Sequence, residues 1–253
     1  MTNKKPINQK VKNLEGIHLY HFSRSNCSMR VRMVLEEKSI PWTSHHLDLR
    51  KAENATEEYF SIHPKGLVPT LVHDGVIHIE STDIINYLDE TFPEPALRPN
   101  SSKYQQDISD WMSLAANNHI HVKAFMFSHQ IGASMKKTEK ELTLYRELQN
   151  NEELLQFHAE NSSAEGLSEN RVNNATKILK DCFFQINETL DTTKWIGSQS
   201  FSLADITWIP LYITLKNAGF LFSDFNNVKR WAEQIESKPS FQKGIKEWLE
   251  NVP

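Results

Sequence analysis

The sequence predicts an α+β domain with a mixed four-stranded sheet, followed by an all-helical domain. Three observations predict it. Short apolar runs of strand length and strand period fall before residue 80. Residues 93–99 (PEPALRP) hold three prolines in seven positions, which cannot continue a helix and mark a boundary. Beyond it, apolar residues recur at helical spacing to the C-terminus.

In order, residues 1–15 (MTNKKPINQKVKNLE) read as a polar tail without the apolar segment of a secretory signal. Residues 17–22 (IHLYHF) alternate as a strand does. The turn-like SRSNCS follows, then a helix from Met29 to Lys38 with Val31, Val34 and Leu35 on one face. Residues 40–49 give a second strand, and Thr56 to Ile62 a short helix ended by Pro64 and Gly66. Val68–Val72 and Val76–Ile79 flank Asp74-Gly75, a strong tight-hairpin signal. Thr82–Phe92 closes this first domain, 16–93, as a helix. Residues 94–101 form a Pro-rich link.

The second domain spans 102–253. Tyr104–Phe127 reads as one long amphipathic stretch, and Val172–Leu190 as another. Leu203–Leu215 is apolar nearly all round, as expected of a helix central to its domain, and contains Pro210, which should kink it. Val228–Ile235 and Phe241–Leu249 finish the chain. Residues 135–171, polar and poor in large apolar side chains, read as a solvated helical excursion.

Composition excludes several functions. The 253 residues carry a net charge of -4, which gives no electrostatic grip on nucleic acid. No apolar stretch is long enough to span a bilayer, so no membrane role is expected. Two cysteines, Cys27 and Cys182, make no disulfide framework, and a cytoplasmic, reducing location is the default. Sequons at Asn54, Asn100, Asn161, Asn174 and Asn187 are then chance matches. The eight glycines form no nucleotide-binding motif, and the histidines, including His45-His46 and His119-x-His121, lack metal-ligand spacing. No metal is expected.

What chemistry there is gathers at Ser25-Asn26-Cys27-Ser28, where a strand hands over to a helix. Unpaired N–H groups and the helix dipole stabilise an anion there, a thiolate included. Ser25 or Ser28 could donate a hydrogen bond to it. From these residues alone the plainer reading is a cap by Asn26 or Ser28 beside an inert Cys27. Val68-Pro69 puts proline at a strand start, and Glu80-Ser81 precedes a helix whose free N–H groups suit a carboxylate.

The order of these pieces resembles the glutathione S-transferases. The matching segments are SNCSMRVRMVLEEKSIPW, HPKGLVPTLVHDG, IESTDIINYLDETFPE, WIGSQSFSLADITWIPL and VKRWAEQIESKPSF. The resemblance implies a thioredoxin-like N-terminal domain (βαβ-α-ββα), glutathione as co-substrate and a homodimer. It places Ser25 at the hydroxyl position that contacts the glutathione sulfur in the theta, phi and zeta classes. Cys27 falls at the cysteine of the beta class. Ser25-Asn26-Cys27 is similar to the zeta-class Ser-Ser-Cys. Pro69 is expected cis, so that Val68 offers its backbone to the cysteinyl part of glutathione, and Glu80 and Ser81 bind its γ-glutamyl end. Leu67 stands where many relatives carry Lys or Gln. Glu80-Ser81 departs from the zeta Gln-Ser, and the 135–171 excursion resembles bacterial β-aryl-ether-cleaving transferases. Ser202 and Asp205 are expected to form a capping box.

The implied function is attack of a glutathione thiolate on a small hydrophobic electrophile, with Ser25, Cys27 or Ser28 activating the thiol. Isomerisation, β-ether cleavage, thiol transfer through Cys27, and a non-catalytic binding module are the alternatives. Phe22, Trp111, Phe125 and Phe127 are candidates to line the electrophile pocket, with plain core packing the competing reading for at least two.

Overall fold

The computed structural model describes residues 9–99, 101–148 and 151–251. Four strands, β1 (Ile17–His21), β2 (Trp42–His46), β3 (Thr70–His73) and β4 (Val76–Ile79), form one sheet in the order β2-β1-β3-β4. β1 runs parallel to β2 and antiparallel to β3, and β3 pairs antiparallel with β4. This is the mixed sheet expected of the thioredoxin-like domain. The β3–β4 turn puts Asp74 and Gly75 at φ 48° and 79°, the left-handed pair that a tight hairpin requires. Gly75 is required twice over, because a Cβ there would meet the Lys12 carbonyl at 2.5 Å.

Four helices belong to this part of the chain: α1 (Gln9–Lys12), α2 (Asn26–Glu37), α3 (Glu57–Phe60) and α4 (Ser81–Thr91). The first eight residues of the expected tail lie outside the described residues. The remainder is partly structured, since α1 buries Val11 against a small core with Phe22, Tyr59, Ile62, Val68 and Val72. α2 starts at Asn26, three residues earlier than its apolar face alone predicts.

The helical part contains α5 (Ser102–Asn117), α6 (His119–Met126), α7 (Glu139–Leu148), α8 (Glu152–Ser162), α9 (Glu169–Thr192), α10 (Leu203–Asn217), α11 (Asn226–Glu236), α12 (Pro239–Phe241) and α13 (Glu247–Glu250). The single amphipathic stretch expected over 104–127 is divided at Asn118, whose φ of -98° and ψ of 5° leave the α region. α10 is buried from Leu203 to Leu215, as its all-round apolar composition predicts. Its start carries the capping box: the Asp205 carboxylate accepts from the Ser202 N–H and hydroxyl, the Ile196 N–H and the Trp231 indole. The excursion is less solvated than its composition implies. Leu142, Tyr145, Leu154 and Phe157 are buried, and Phe157 packs edge-on against Phe127 at 5.0 Å.

One apolar core runs from β1, α2 and α4 into α5, α9, α10 and α11, so the two parts of the chain share a dry interface. Polar links cross the same seam. Arg30 Nε donates to the Thr207 carbonyl at 3.0 Å, and the Thr214 hydroxyl donates to Asn26 Oδ1. The C-terminal turn closes back on α2, where Arg32 Nε donates to the Gly244 carbonyl at 2.7 Å.

Candidate active site

Sheet register brings the predicted residues to one edge. Tyr20 lies opposite Thr70, and Thr70 opposite Ile79. The chain leaves β1 towards Ser25, enters β3 through Val68-Pro69 and leaves β4 into Glu80-Ser81. Three segments far apart in sequence therefore open at the same end of the sheet.

Ser25 is the N-cap of α2, and neither Asn26 nor Ser28 takes that role. Its hydroxyl oxygen accepts the Ser28 N–H at 3.3 Å, which leaves its own proton free to donate. Asn26 is buried and held by Thr214. Ser28 has no exposed surface, and its hydroxyl accepts the Phe22 N–H at 3.3 Å. Ser25 and Cys27 remain half-buried, hence reachable. Cys182 is buried, and burial pushes its thiol up to about 11.

The Val68-Pro69 bond is cis, as the resemblance implies. Among the described residues nothing pairs with the Val68 N–H or C=O, so this edge offers one donor and one acceptor. The Leu67 carbonyl is occupied by the Tyr59 hydroxyl at 2.6 Å. Glu80 sits at φ 65° and ψ 114°, a strained conformation for a residue with a Cβ, and its carboxylate meets Lys65 Nζ at 2.6 Å. Ser81 opens α4, and its hydroxyl accepts from Arg30 Nη1 at 3.2 Å.

Arg30 was not singled out by motif, yet it touches two candidates at once: Nη1 lies 4.0 Å from Cys27 Sγ as well as on Ser81. Two arginines within a helix of otherwise apolar buried positions were the available signal. They differ in how they are used. Arg32 spends its donors on the Gly244, Phe22 and Ser23 carbonyls and on His21, and lies over the Trp248 ring at 5.3 Å. Arg30, 1% exposed, keeps Nη2 without a partner.

The opposite wall comes from α6, the loop before α7, and α8. Lys123 Nζ lies 3.4 Å from His158 Nε2 and over the rings of Phe157 and Phe127 at 5.2 and 5.8 Å. Burial, with Lys137 opposing and Cys27 favouring the charge, lowers Lys123 to about 8. Burial, reinforced by Arg30 and Lys123, holds His119 neutral with its pKa near 3. Phe22, Phe125 and Phe127, named as possible pocket lining, are core residues at 6%, 5% and 4% exposure, and Trp111 stacks edge-on against Trp208. Two surface hollows of about 410 and 390 Å³ lie on the helical part, the second between His121, Glu153 and Arg171, and neither includes Ser25 or Cys27. Among the described residues no His, Cys, Asp or Glu cluster is arranged to hold a metal, and no helix is long and apolar enough to cross a membrane.

Comparison with known proteins agrees with this architecture. Residues 19–96 match the glutathione S-transferase N-terminal domain family. Protein LigF of Sphingobium sp. strain SYK-6 is 25% identical over 252 residues, covering 92% of this chain and 93% of that protein. Glutathione S-transferase 1 of Dianthus caryophyllus is 36% identical over 120 residues, covering 43% of this chain and only 54% of that protein. The crystal structure of the β-etherase LigF superposes with a TM-score of 0.80 at 24% identity, over 93% of this chain and 99% of that one. Residues 19–96 thus carry a glutathione S-transferase N-terminal domain, and nearly the whole chain shares the fold of the β-etherase LigF.

Proposed function

We propose that this chain is a glutathione transferase: it binds glutathione along Val68, Glu80 and Ser81 and holds its sulfur as a thiolate beside Ser25. The observation that carries the reading is the shared sheet edge, where a free hydroxyl proton, an unpaired backbone edge and a helix N-terminus open together. A free thiol ionises near pH ~8.5, and each unit of lowering is worth ~1.4 kcal/mol. The Ser25 proton and the start of α2 favour the charged sulfur. The thiolate then attacks an electrophilic carbon presented from the helical side, forming a C–S bond as the leaving group departs with its electron pair. We place the enzyme as a cytoplasmic homodimer by likeness to its family.

Replacing Ser25 by Ala tests this. Turnover should fall about 100-fold, in line with loss of one anion-stabilising donor, while glutathione affinity changes little. Ser25→Thr should restore most of it. The lost cap costs about 1 kcal/mol of stability, which a melting curve reads separately. Unchanged turnover would remove Ser25 from the mechanism.

A second reading has its own observation, the half-buried Cys27 with a guanidinium 4.0 Å from its sulfur. In it the Cys27 thiolate attacks oxidised glutathione, forms a mixed disulfide and releases one reduced glutathione. An intact-mass adduct at Cys27 after treatment with oxidised glutathione would support it.

A further inference from the structure

We infer that the helical wall of this site selects an electrophile that carries a carboxylate, with Lys123 as the specificity-determining residue. The inference rests on the proposed function and names the substrate class for it. A buried ammonium without a counter-ion is unfavourable by several kcal/mol, and folded proteins normally compensate it with a carboxylate. Lys123 has none. Among the described residues its neighbours are a neutral imidazole at 3.4 Å and two phenyl rings.

The deficit extends around it. Among the described residues Arg30 bonds the Thr207 carbonyl, Cys27 Sγ and the Ser81 hydroxyl but no carboxylate, and one of its nitrogens is unspent. Lys137 rests over the Tyr145 ring at 5.1 Å and adds to the positive charge about Lys123, with Glu141, which also binds the Thr138 N–H and hydroxyl at 2.7 Å, favouring its own charge. Because Lys123 donates to His158 Nε2, the His158 proton lies on Nδ1, a second buried donor without a partner. A chain of net charge -4 thus concentrates cations in one place.

Lys123, His119 and Cys27 each keep some exposed surface, and the charge coupling of Lys123 with Cys27 and of His119 with Arg30 places α6 and the start of α2 face to face. The carboxylate of a bound electrophile supplies the missing counter-charge, and so fixes which end of the substrate faces the glutathione sulfur. Under the proposed function the γ-glutamyl carboxylate of glutathione lies at Glu80-Ser81, on the other wall; its glycyl carboxylate is present with either probe below, so a difference between the probes reports the electrophile's own carboxylate.

The test uses a matched pair of probes, 1-chloro-2,6-dinitrobenzene and 4-chloro-3,5-dinitrobenzoate, which differ only in the carboxylate. Each loses chloride as the glutathione sulfur bonds to carbon. With rates divided by the uncatalysed ones, the wild type should prefer the carboxylate probe. Lys123→Met should lower the ratio of the two kcat/KM values at least tenfold, mainly through KM for the carboxylate. Lys123→Arg should restore it, and the surface variant Lys180→Met should match the wild type. Lys123→Met should also melt roughly 2–4 °C higher, because an uncompensated charge is removed.

A ratio that stays constant in Lys123→Met overturns the inference. So does a Lys123 effect that vanishes in a Cys27→Ala background, because Lys123 would then serve the thiol. If neither probe reacts above background, the proposed function fails. Binding of the unreactive 3,5-dinitrobenzoate by calorimetry then still decides this inference: Lys123-dependent binding sustains it, and equal binding by wild type and Lys123→Met ends it.

Discussion

The two walls of the site are built in opposite ways. On the sheet side, the proposed recognition rests on groups the backbone supplies: the capped start of α2, the unpaired edge at Val68 and the start of α4. Its carboxylate, Glu80, is paired with Lys65 at 2.6 Å, and Arg30 beneath it bonds Ser81 at 3.2 Å. On the helical side, the proposed recognition rests on the side chains Lys123 and His119 of α6 and His158 of α8, and among the described residues the Lys123 charge has no carboxylate partner. A backbone site leaves stability almost untouched. A side-chain site of this kind gives up stability for selectivity, so removing the Lys123 charge should raise stability while removing the Ser25 cap should lower it.

The largest effect should come from removing what holds the helical wall in place. Asp205, fully buried, collects the Ile196 N–H at 2.9 Å, the Trp231 indole at 2.7 Å, and the Ser202 N–H and hydroxyl at 2.9 and 3.1 Å. Asp205→Ala strands all of these donors in the core beneath α10 and should cost about 3–5 kcal/mol. Chemical denaturation would read this as an early midpoint, with both glutathione binding and electrophile turnover lost together. Survival of glutathione binding alone would mean that the sheet wall stands without the helical one.

The same division explains what was legible in the sequence. The sheet wall could be read because its signals are local. The alternation of 17–22, the Asp74-Gly75 turn and a serine before a helix each depend on a few neighbouring residues. Even there, choosing Ser25 as the cap needed backbone geometry, since Asn26 and Ser28 are equally good cap residues in isolation. The cis bond before Pro69 was legible only through family resemblance. The helical wall was hidden. Lys123 and His158 are separated by 35 positions and read as ordinary polar residues on amphipathic helices. The break at Asn118 falls in an unbroken apolar rhythm. Phe157 is one of few large apolar residues in a charge-rich segment, so its burial against Phe127 cannot be anticipated from periodicity.

A pH series sharpens the comparison on the helical wall. Facing Lys123 are His119 on α6, Lys137 in the following loop, His158 on α8, and Cys27 and Arg30 on α2. The Lys123 ammonium is lowered from the usual 10.5 to about 8, chiefly by burial. Below pH 8 it is charged and binds the carboxylate probe. Above pH 8 affinity for 3,5-dinitrobenzoate should fall up to tenfold per unit, the limit for a site that requires one proton. Stability should move the other way. Between 8 and 10.5 the unfolded chain holds the proton that the folded chain has lost, so stability rises with pH across that window. Lys123→Met lacks this rise, and the two proteins should converge as pH climbs.

The smallest effect, and the sharpest contrast, is expected at Glu80 on the sheet wall. Its φ of 65° and ψ of 114° are held by the link between β4 and α4, and strain of this kind costs of order 1–3 kcal/mol. Glu80→Gly relieves the strain but adds freedom to the unfolded chain, a penalty of about 0.5–1 kcal/mol. It also removes an exposed ion pair worth about 0–1 kcal/mol. The net change should be a gain of about 1 kcal/mol, a few degrees in melting temperature. Glu80→Gln keeps the Cβ and the strain, so it should gain nothing. Both variants remove the carboxylate proposed to hold the glutathione amino group, and both should weaken glutathione about tenfold, or about 1.4 kcal/mol. Equal stability in the two variants would mean that the strain at Glu80 is not stored in the fold. Equal affinity to wild type would mean that the sheet wall reads glutathione through its backbone groups alone.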